Sequence, residues 1–70
     1  MTHLSNQDKI TLLTEQLTSL ASQTYQVQIN LQICQVSNNQ AGIDAANSLL
    51  AQYAIATEVY QGELAKLTVE

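Results

Sequence analysis

The sequence predicts an all-α fold, an antiparallel two-helix hairpin with coiled-coil-like packing. Two stretches of the 70-residue chain carry apolar or small residues at alternating spacings of three and four, as in helices that pack along one another. One short stretch of turn-forming residues separates them, and the chain contains no proline. Residues 1–70 are therefore expected to form one domain, with helix 1 over about 6–36, a turn over about 37–41 and helix 2 over about 42–68.

Helix 1 is predicted to begin just after Ser5. Ser5 followed by Asp8 is a variant of the capping box, and the carboxylate of Asp8 suits the positive end of the helix dipole. Residues 1–4 are expected to be a loose start. The predicted seam positions of helix 1, which face the other helix, are Ile10, Leu13, Leu17, Leu20, Thr24, Val27, Leu31 and Cys34.

Residues 25–33 carry a second, competing pattern. From Tyr25 to Ile33 apolar residues alternate with Gln and Asn, which is typical of a half-buried strand. The alternation ends at Cys34, however, and no second alternating segment exists to pair with it. Because the helical spacing continues on both sides, a helix is predicted through these residues.

The predicted turn lies at Asn38 and Asn39, within the segment from Ser37 to Gly42. Asn tolerates the left-handed backbone conformation and bonds to nearby backbone groups, so the chain is expected to reverse there. Gly62, inside helix 2, lowers helix stability by about 1 kcal/mol relative to Ala, which indicates either close packing or simple tolerance. The predicted seam positions of helix 2 are Ile43, Ala46, Leu50, Tyr53, Thr57, Tyr60, Leu64 and Leu67.

A reversal at Asn38 and Asn39 places every seam position of helix 1 opposite a seam position of helix 2. In this register Ile10 faces Leu67 at one end, and Cys34 faces Ile43 at the other. The turn chemistry and both periodicities therefore agree on one hairpin.

Chain length predicts self-association. A protein of this size buries only about 60% of the surface that its unfolded chain exposes, and disulfides, metals or oligomerisation usually compensate. A single cysteine, Cys34, excludes an internal disulfide, and one cysteine with one histidine does not make a metal site. A homo-oligomer is therefore expected, with a dimer favoured, which completes the hairpin as a helical bundle.

Charge and hydropathy exclude several partners. The chain has two Lys, no Arg and six acidic residues, for a formal net charge of −4. Nucleic acid and anionic membrane surfaces are not expected to bind it, because both need clustered cations. No secretion signal and no apolar stretch long enough to span a membrane is visible. A cytoplasmic protein is expected, in which Cys34 stays reduced.

Apolar residues outside the seam form the candidate binding site. No charged residue occurs from 16 to 43, and interface cores are depleted in charge. An exposed apolar surface of this size usually marks a protein interface. The stripe is either the core of a four-helix bundle made from two hairpins or the docking site for another protein, and the two are compatible. This apolar stripe consists of Tyr25, Ile29, Ile33, Val36, Leu49, Ile55 and Val59.

The expected function is a small interaction module that self-associates and binds or sequesters a larger protein through this stripe. Helix-in-groove recognition is the expected mode, with a regulatory or inhibitory outcome of antirepressor-like or anti-defence-like type. The alternative is a structural or assembly subunit, or a small chaperone that covers a helix of its client. Binding of a ligand inside the oligomer core is a third option.

Enzymatic chemistry is not expected. His3 has no positioned partner for acid–base catalysis, and Glu58 and Glu63 do not stack on one helix face. The sequence contains no phosphate-binding glycine loop, zinc spacing or nucleophile motif, so no cofactor or metal is predicted. Cys34 is expected to be a small core residue, with an intermolecular disulfide or a reactive thiol as the alternative.

Overall fold

The computed structural model describes residues 4–68 and consists there of two long helices packed side by side. Helix α1 spans Asn6–Val36 and helix α2 spans Gln40–Thr68, so the predicted all-helical hairpin is confirmed. The hairpin is elongated, with extents of 50 × 19 × 18 Å and a radius of gyration of 16.0 Å. A compact domain of this length would have a radius of gyration of about 11 Å. Completion as a bundle stays a prediction.

Helix α1 begins with the predicted cap. The backbone of Ser5 is extended, at φ −69° and ψ 165°, and its Oγ accepts a hydrogen bond of 3.0 Å from the backbone N–H of Asp8. This bond satisfies one of the N–H groups that have no partner within the first helical turn. His3 and the rest of the predicted loose start before Leu4 lie outside the described residues.

The segment from Tyr25 to Ile33 is helical throughout and lies inside α1. The strand interpretation of its alternating pattern is therefore wrong. An isolated strand has no neighbouring strand to accept its backbone hydrogen bonds, whereas α1 forms these bonds within the helix and keeps the seam spacing.

Asn38 ends α1 by adopting the left-handed conformation, at φ 58°. The backbone N–H of Asn39 donates to the carbonyl of Cys34 at 2.8 Å, and that of Asn38 donates to the carbonyl of Gln35 at 3.3 Å. This pair of bonds is the Schellman motif, which satisfies carbonyls left without partners in the last helical turn. The prediction of a reversal at these asparagines is consistent with this geometry.

Asn39 starts α2. Its side-chain Oδ1 accepts a hydrogen bond of 3.0 Å from the backbone N–H of Gly42, which is the bond of an N-cap residue to the third helical residue. Because Asn39 is already a cap, α2 begins at Gln40, ahead of the predicted residue 42.

The predicted seam is the contact between the helices. All sixteen seam residues are buried or half-buried, and the most buried apolar residues are Leu20, Val27 and Ala46. No large side chain among residues 4–68 is completely buried. The core is therefore a single thin line along the hairpin.

Candidate interaction surface

The apolar stripe predicted from the sequence is exposed. Six of its seven residues are exposed and the seventh, Ile29, is half-buried. The exposed fraction is highest for Val36, at 86%, and lowest among the six for Leu49, at 39%. The hairpin therefore leaves these side chains largely in contact with water.

Heptad positions divide the stripe between one side of the seam and the outer edges of the two helices. With the first seam residue of each helix, Ile10 and Ile43, taken as position a, three stripe residues occupy positions c and g. In an antiparallel pair, positions c and g of both helices lie on the same side of the seam. We define this side as the flank face, and its apolar members are Leu12, Ile33, Ala45, Leu49, Ala56 and Val59.

The other four stripe residues lie away from the flank face. Ile29, Val36 and Ile55 occupy position f, opposite the seam, and Tyr25 occupies position b on the other side of α1. Tyr25 and Ile33 lie four residues before and after Ile29, so they are its neighbours along the helix. We refer to Tyr25, Ile29, Val36 and Ile55 as the back residues.

The flank face carries no charge over most of its length. From Leu12 to Ile33 on α1, and from Ala45 to Val59 on α2, every c and g position holds an apolar, amide or hydroxyl side chain. Two of these polar groups bond to each other, because Gln23 Nε2 donates to Ser19 Oγ at 3.0 Å. A partner that covers this part of the face would therefore bury no ionised group of the hairpin.

Charged groups lie at the end of the flank face farthest from the turn. Lys66 Nζ and Glu63 Oε1 are 3.2 Å apart, and both side chains are more than half exposed. An exposed pair of this kind adds little to stability, of the order of 0.5 kcal/mol. On the other side of the hairpin, Gln40 Nε2 donates to Asp44 Oδ1 at 2.9 Å, near the turn.

A cleft of about 320 Å³ opens between the helices at the same end. Its lining residues are Lys9, Leu12 and Leu13 of α1 with Glu63 and Leu67 of α2. The walls are mostly leucine, with one cation and one carboxylate. The sequence pattern did not reveal this cleft, because the distance between two helices does not follow from spacing along either one.

Side chains with reactive chemistry are dispersed. Cys34 is a free, half-buried thiol beside the turn, and Glu58 and Glu63 are exposed at different heptad positions. Within residues 4–68, no group of three or more His, Cys, Asp or Glu side chains is placed to hold a metal ion. The extended apolar surface is thus the main candidate site in this part of the chain.

Comparisons with protein-family models, with characterised proteins and with solved structures each find no match for this chain. Neither helix, over the described residues, contains an apolar segment long enough to cross a membrane. The functional proposal below therefore depends on the chain's own surface.

Proposed function

We propose that this chain is a small non-enzymatic interaction module that self-associates and binds or sequesters a larger protein through its apolar stripe. One observation carries the proposal, namely the imbalance between core and surface. Among residues 4–68, only Leu20, Val27 and Ala46 are buried apolar residues. The exposed large apolar residues are Leu4, Leu12, Tyr25, Ile33, Val36, Leu49, Ile55 and Val59.

The accessible surface area supports a covered face. The chain exposes 5276 Å², whereas a compact monomer of 7.7 kDa would expose about 4300 Å². The excess of about 900 Å² is close to the roughly 800 Å² that each partner contributes to a protein interface of standard size. Covering one face would thus lower the exposed area of the hairpin to about that of a compact protein of the same mass.

The regulatory role follows from how such a surface binds. An uncharged helical face docks into an apolar groove of a larger protein, and occupation of that groove blocks or sequesters the protein. This is an antirepressor-like or anti-defence-like action. We place the module in the cytoplasm, where the free Cys34 would stay reduced.

The thin core favours one alternative, an assembly subunit or small chaperone. A hairpin in which no large described side chain is completely buried could be completed by a helix of its client. In that case the isolated chain would be largely unfolded, and its circular dichroism spectrum would show little helix. A regulator with its own oligomeric core would be helical and soluble in isolation.

The test compares two aspartate variants with a surface control. Ile29→Asp and Ile33→Asp place a carboxylate inside the stripe, and Glu63→Ala changes an exposed residue outside it. Burial of an unpaired carboxylate is unfavourable by more than about 1.4 kcal/mol, which is tenfold in affinity. The stripe variants should therefore lose at least tenfold in assembly or in binding of the captured protein.

Binding is read by affinity capture from the native host with quantitative mass spectrometry, and assembly by light scattering. Glu63→Ala should match the unmodified chain in both measurements. Negligible effects of both aspartate variants in both measurements would overturn the assignment of the stripe.

A further inference from the structure

We propose that the flank face is covered by a second copy of this chain, packed antiparallel about a twofold axis at the level of Gln23. The inference depends on the proposed function, because it specifies how the self-association occurs. It assigns Leu12, Ile33, Leu49 and Val59 to the contact between copies and leaves the back residues of α1, Tyr25, Ile29 and Val36, for a larger protein.

The first observation is the spacing of large apolar residues on the flank face of α1. This helix carries two of them, Leu12 and Ile33, which are 45% and 59% exposed. Their midpoint along the helix lies between Ser22 and Gln23. A twofold axis perpendicular to the helix at that level places Leu12 of one copy against Ile33 of the other.

The second observation comes independently from α2. Its large apolar residues on the flank face are Leu49 and Val59, and their midpoint is Ala54. In the hairpin register that places Cys34 opposite Ile43, Ala54 lies opposite Gln23. The midpoints on the two helices thus lie at the same height along the hairpin, so one twofold axis passes through both. Rotation about this axis also brings Leu49 of one copy against Val59 of the other.

This register is consistent with contacts at both ends of the hairpin. Near the turn, a Cβ added to Gly42 would meet Cys34 Sγ, so the first turn of α2 lies against the last turn of α1. At the other end, Leu13 and Leu67 line the same cleft. In the folded hairpin, the midpoint on α1 and the midpoint on α2 therefore lie side by side.

In a contact between two copies related by a twofold axis, the same surface of each copy must be complementary to itself. The arrangement of charge favours an antiparallel over a parallel pair of hairpins. At the end away from the turn, Asp8, Glu15, Glu58 and Glu63 outnumber Lys9 and Lys66. A parallel pair would bring these two net-negative ends together. The antiparallel pair separates the two copies of each acidic residue along the helices, by about 12 Å for Glu58 and about 44 Å for Asp8. Both distances exceed the Debye length of about 8 Å at physiological ionic strength.

The area is sufficient for a stable pair. The excess accessible surface of about 900 Å² over a compact monomer matches the contribution of one partner to a standard interface. The flank face also holds Ala45 and Ala56, which in this register lie at the levels of Glu63 and Gln52 of the other copy and leave room for these longer side chains. The back residues project away from this contact and stay accessible.

Cysteine cross-linking tests the arrangement directly. In a Cys34→Ala background, Leu12→Cys and Ile33→Cys are prepared separately and then mixed, so that the copies exchange. We expect a disulfide-linked dimer in the mixture under mild oxidation. We expect none with either variant alone, because the two copies of position 12, like the two copies of position 33, lie about 31 Å apart along the helix axis.

A matched aspartate pair in the unmodified Cys34 background provides the second readout. Val59 and Ile55 are similarly exposed, at 58% and 65%, and lie on the same helix, but only Val59 is on the flank face. Val59→Asp should weaken self-association at least tenfold, while Ile55→Asp leaves the dimer mass unchanged.

The outcomes separate the two proposals. If the unmodified chain is monomeric throughout, the proposed self-association fails, and the antiparallel arrangement fails with it. If the chain is dimeric but the mixed cysteine variants do not cross-link, or Val59→Asp keeps the full dimer mass, only the arrangement is overturned. Circular dichroism of each variant verifies that the hairpin is still folded.

Discussion

The two ends of the hairpin differ in what lies between the helices. At the turn, α1 and α2 are so close that any side chain at Gly42 would collide with Cys34 Sγ and lie 2.9 Å from the Asn39 amide nitrogen. At the other end Leu13 and Leu67 line an open cleft of about 320 Å³. Gly62, towards that end, occupies position f opposite the seam, where an added Cβ would meet nothing within 4 Å.

This difference has a physical origin. Near the turn, backbone hydrogen bonds of Asn38 and Asn39 fix the path of the chain, so the helices cannot separate there. Away from the turn only seam side chains hold the helices together, and charged residues accumulate. We therefore expect local stability to decrease from the turn towards the chain ends.

The largest expected difference between the two ends is in the effect of leucine truncation. Leu31, near the turn, and Leu13, at the cleft, are both half-buried seam residues. Leu31→Ala should lower the free energy of unfolding by about 2–3 kcal/mol, because close packing leaves a cavity. Leu13→Ala should lower it by about 1 kcal/mol, because its neighbours already border open space.

Urea unfolding followed by circular dichroism measures both values. All samples are compared at one protein concentration, because association adds to apparent stability by mass action. Equal losses, or a larger loss for Leu13→Ala, would contradict the gradient.

The two glycines should respond to the same substitution with opposite sign. Gly42→Ala should destabilise the hairpin by about 1–2 kcal/mol, since overpacking against Cys34 and Asn39 outweighs the gain in helix propensity. Gly62→Ala should stabilise it by about 0.5–1 kcal/mol, because the new methyl group faces open space and alanine favours the helix.

A double-mutant cycle identifies the cause of the loss at Gly42. In a Cys34→Ala background the colliding Sγ is absent, so Gly42→Ala should be less destabilising than in the unmodified chain. An unchanged loss would show that Cys34 is not the limiting contact.

Effects of similar size to that of Gly62→Ala are expected at the turn itself. Asn38→Ala should lower stability by about 1 kcal/mol, because alanine keeps the Cβ but lacks the polar group with which asparagine stabilises the left-handed conformation. Asn38→Gly should be tolerated, because glycine has no Cβ. Asn39→Ala should also lower stability by about 1 kcal/mol by removing the cap of α2, whereas Asn39→Asp keeps an accepting oxygen. Thermal unfolding compares the four variants, and equal behaviour of Asn38→Gly and Asn38→Ala would contradict the assigned roles.

The helices and their seam were predictable because they depend on local spacing. Positions from Ile10 to Cys34 and from Ile43 to Leu67 repeat with the period of packed helices, and all of them are buried or half-buried in the structure. The exposure of the stripe also followed, since a two-helix hairpin has only one contact line. The same spacing predicts a helix rather than a strand at residues 25–33, and these residues lie inside α1.

Features that depend on how the two helices lie beside each other were not predictable from the spacing along either helix. Leu12 is isolated on its own helix and was absent from the predicted stripe, but it joins Leu49 and Val59 on the flank face once α2 is placed beside it. The sequence left the role of Gly62 open between close packing and tolerance, and only the space around it favours tolerance.

The central proposal is that a second copy of the chain covers the flank face of the hairpin. Static light scattering of the unmodified chain over a range of concentrations, with circular dichroism on the same samples, tests it most directly. We predict a helical species of twice the 7.7 kDa chain mass that dissociates on dilution. A fully helical protein of 7.7 kDa at every concentration would contradict it.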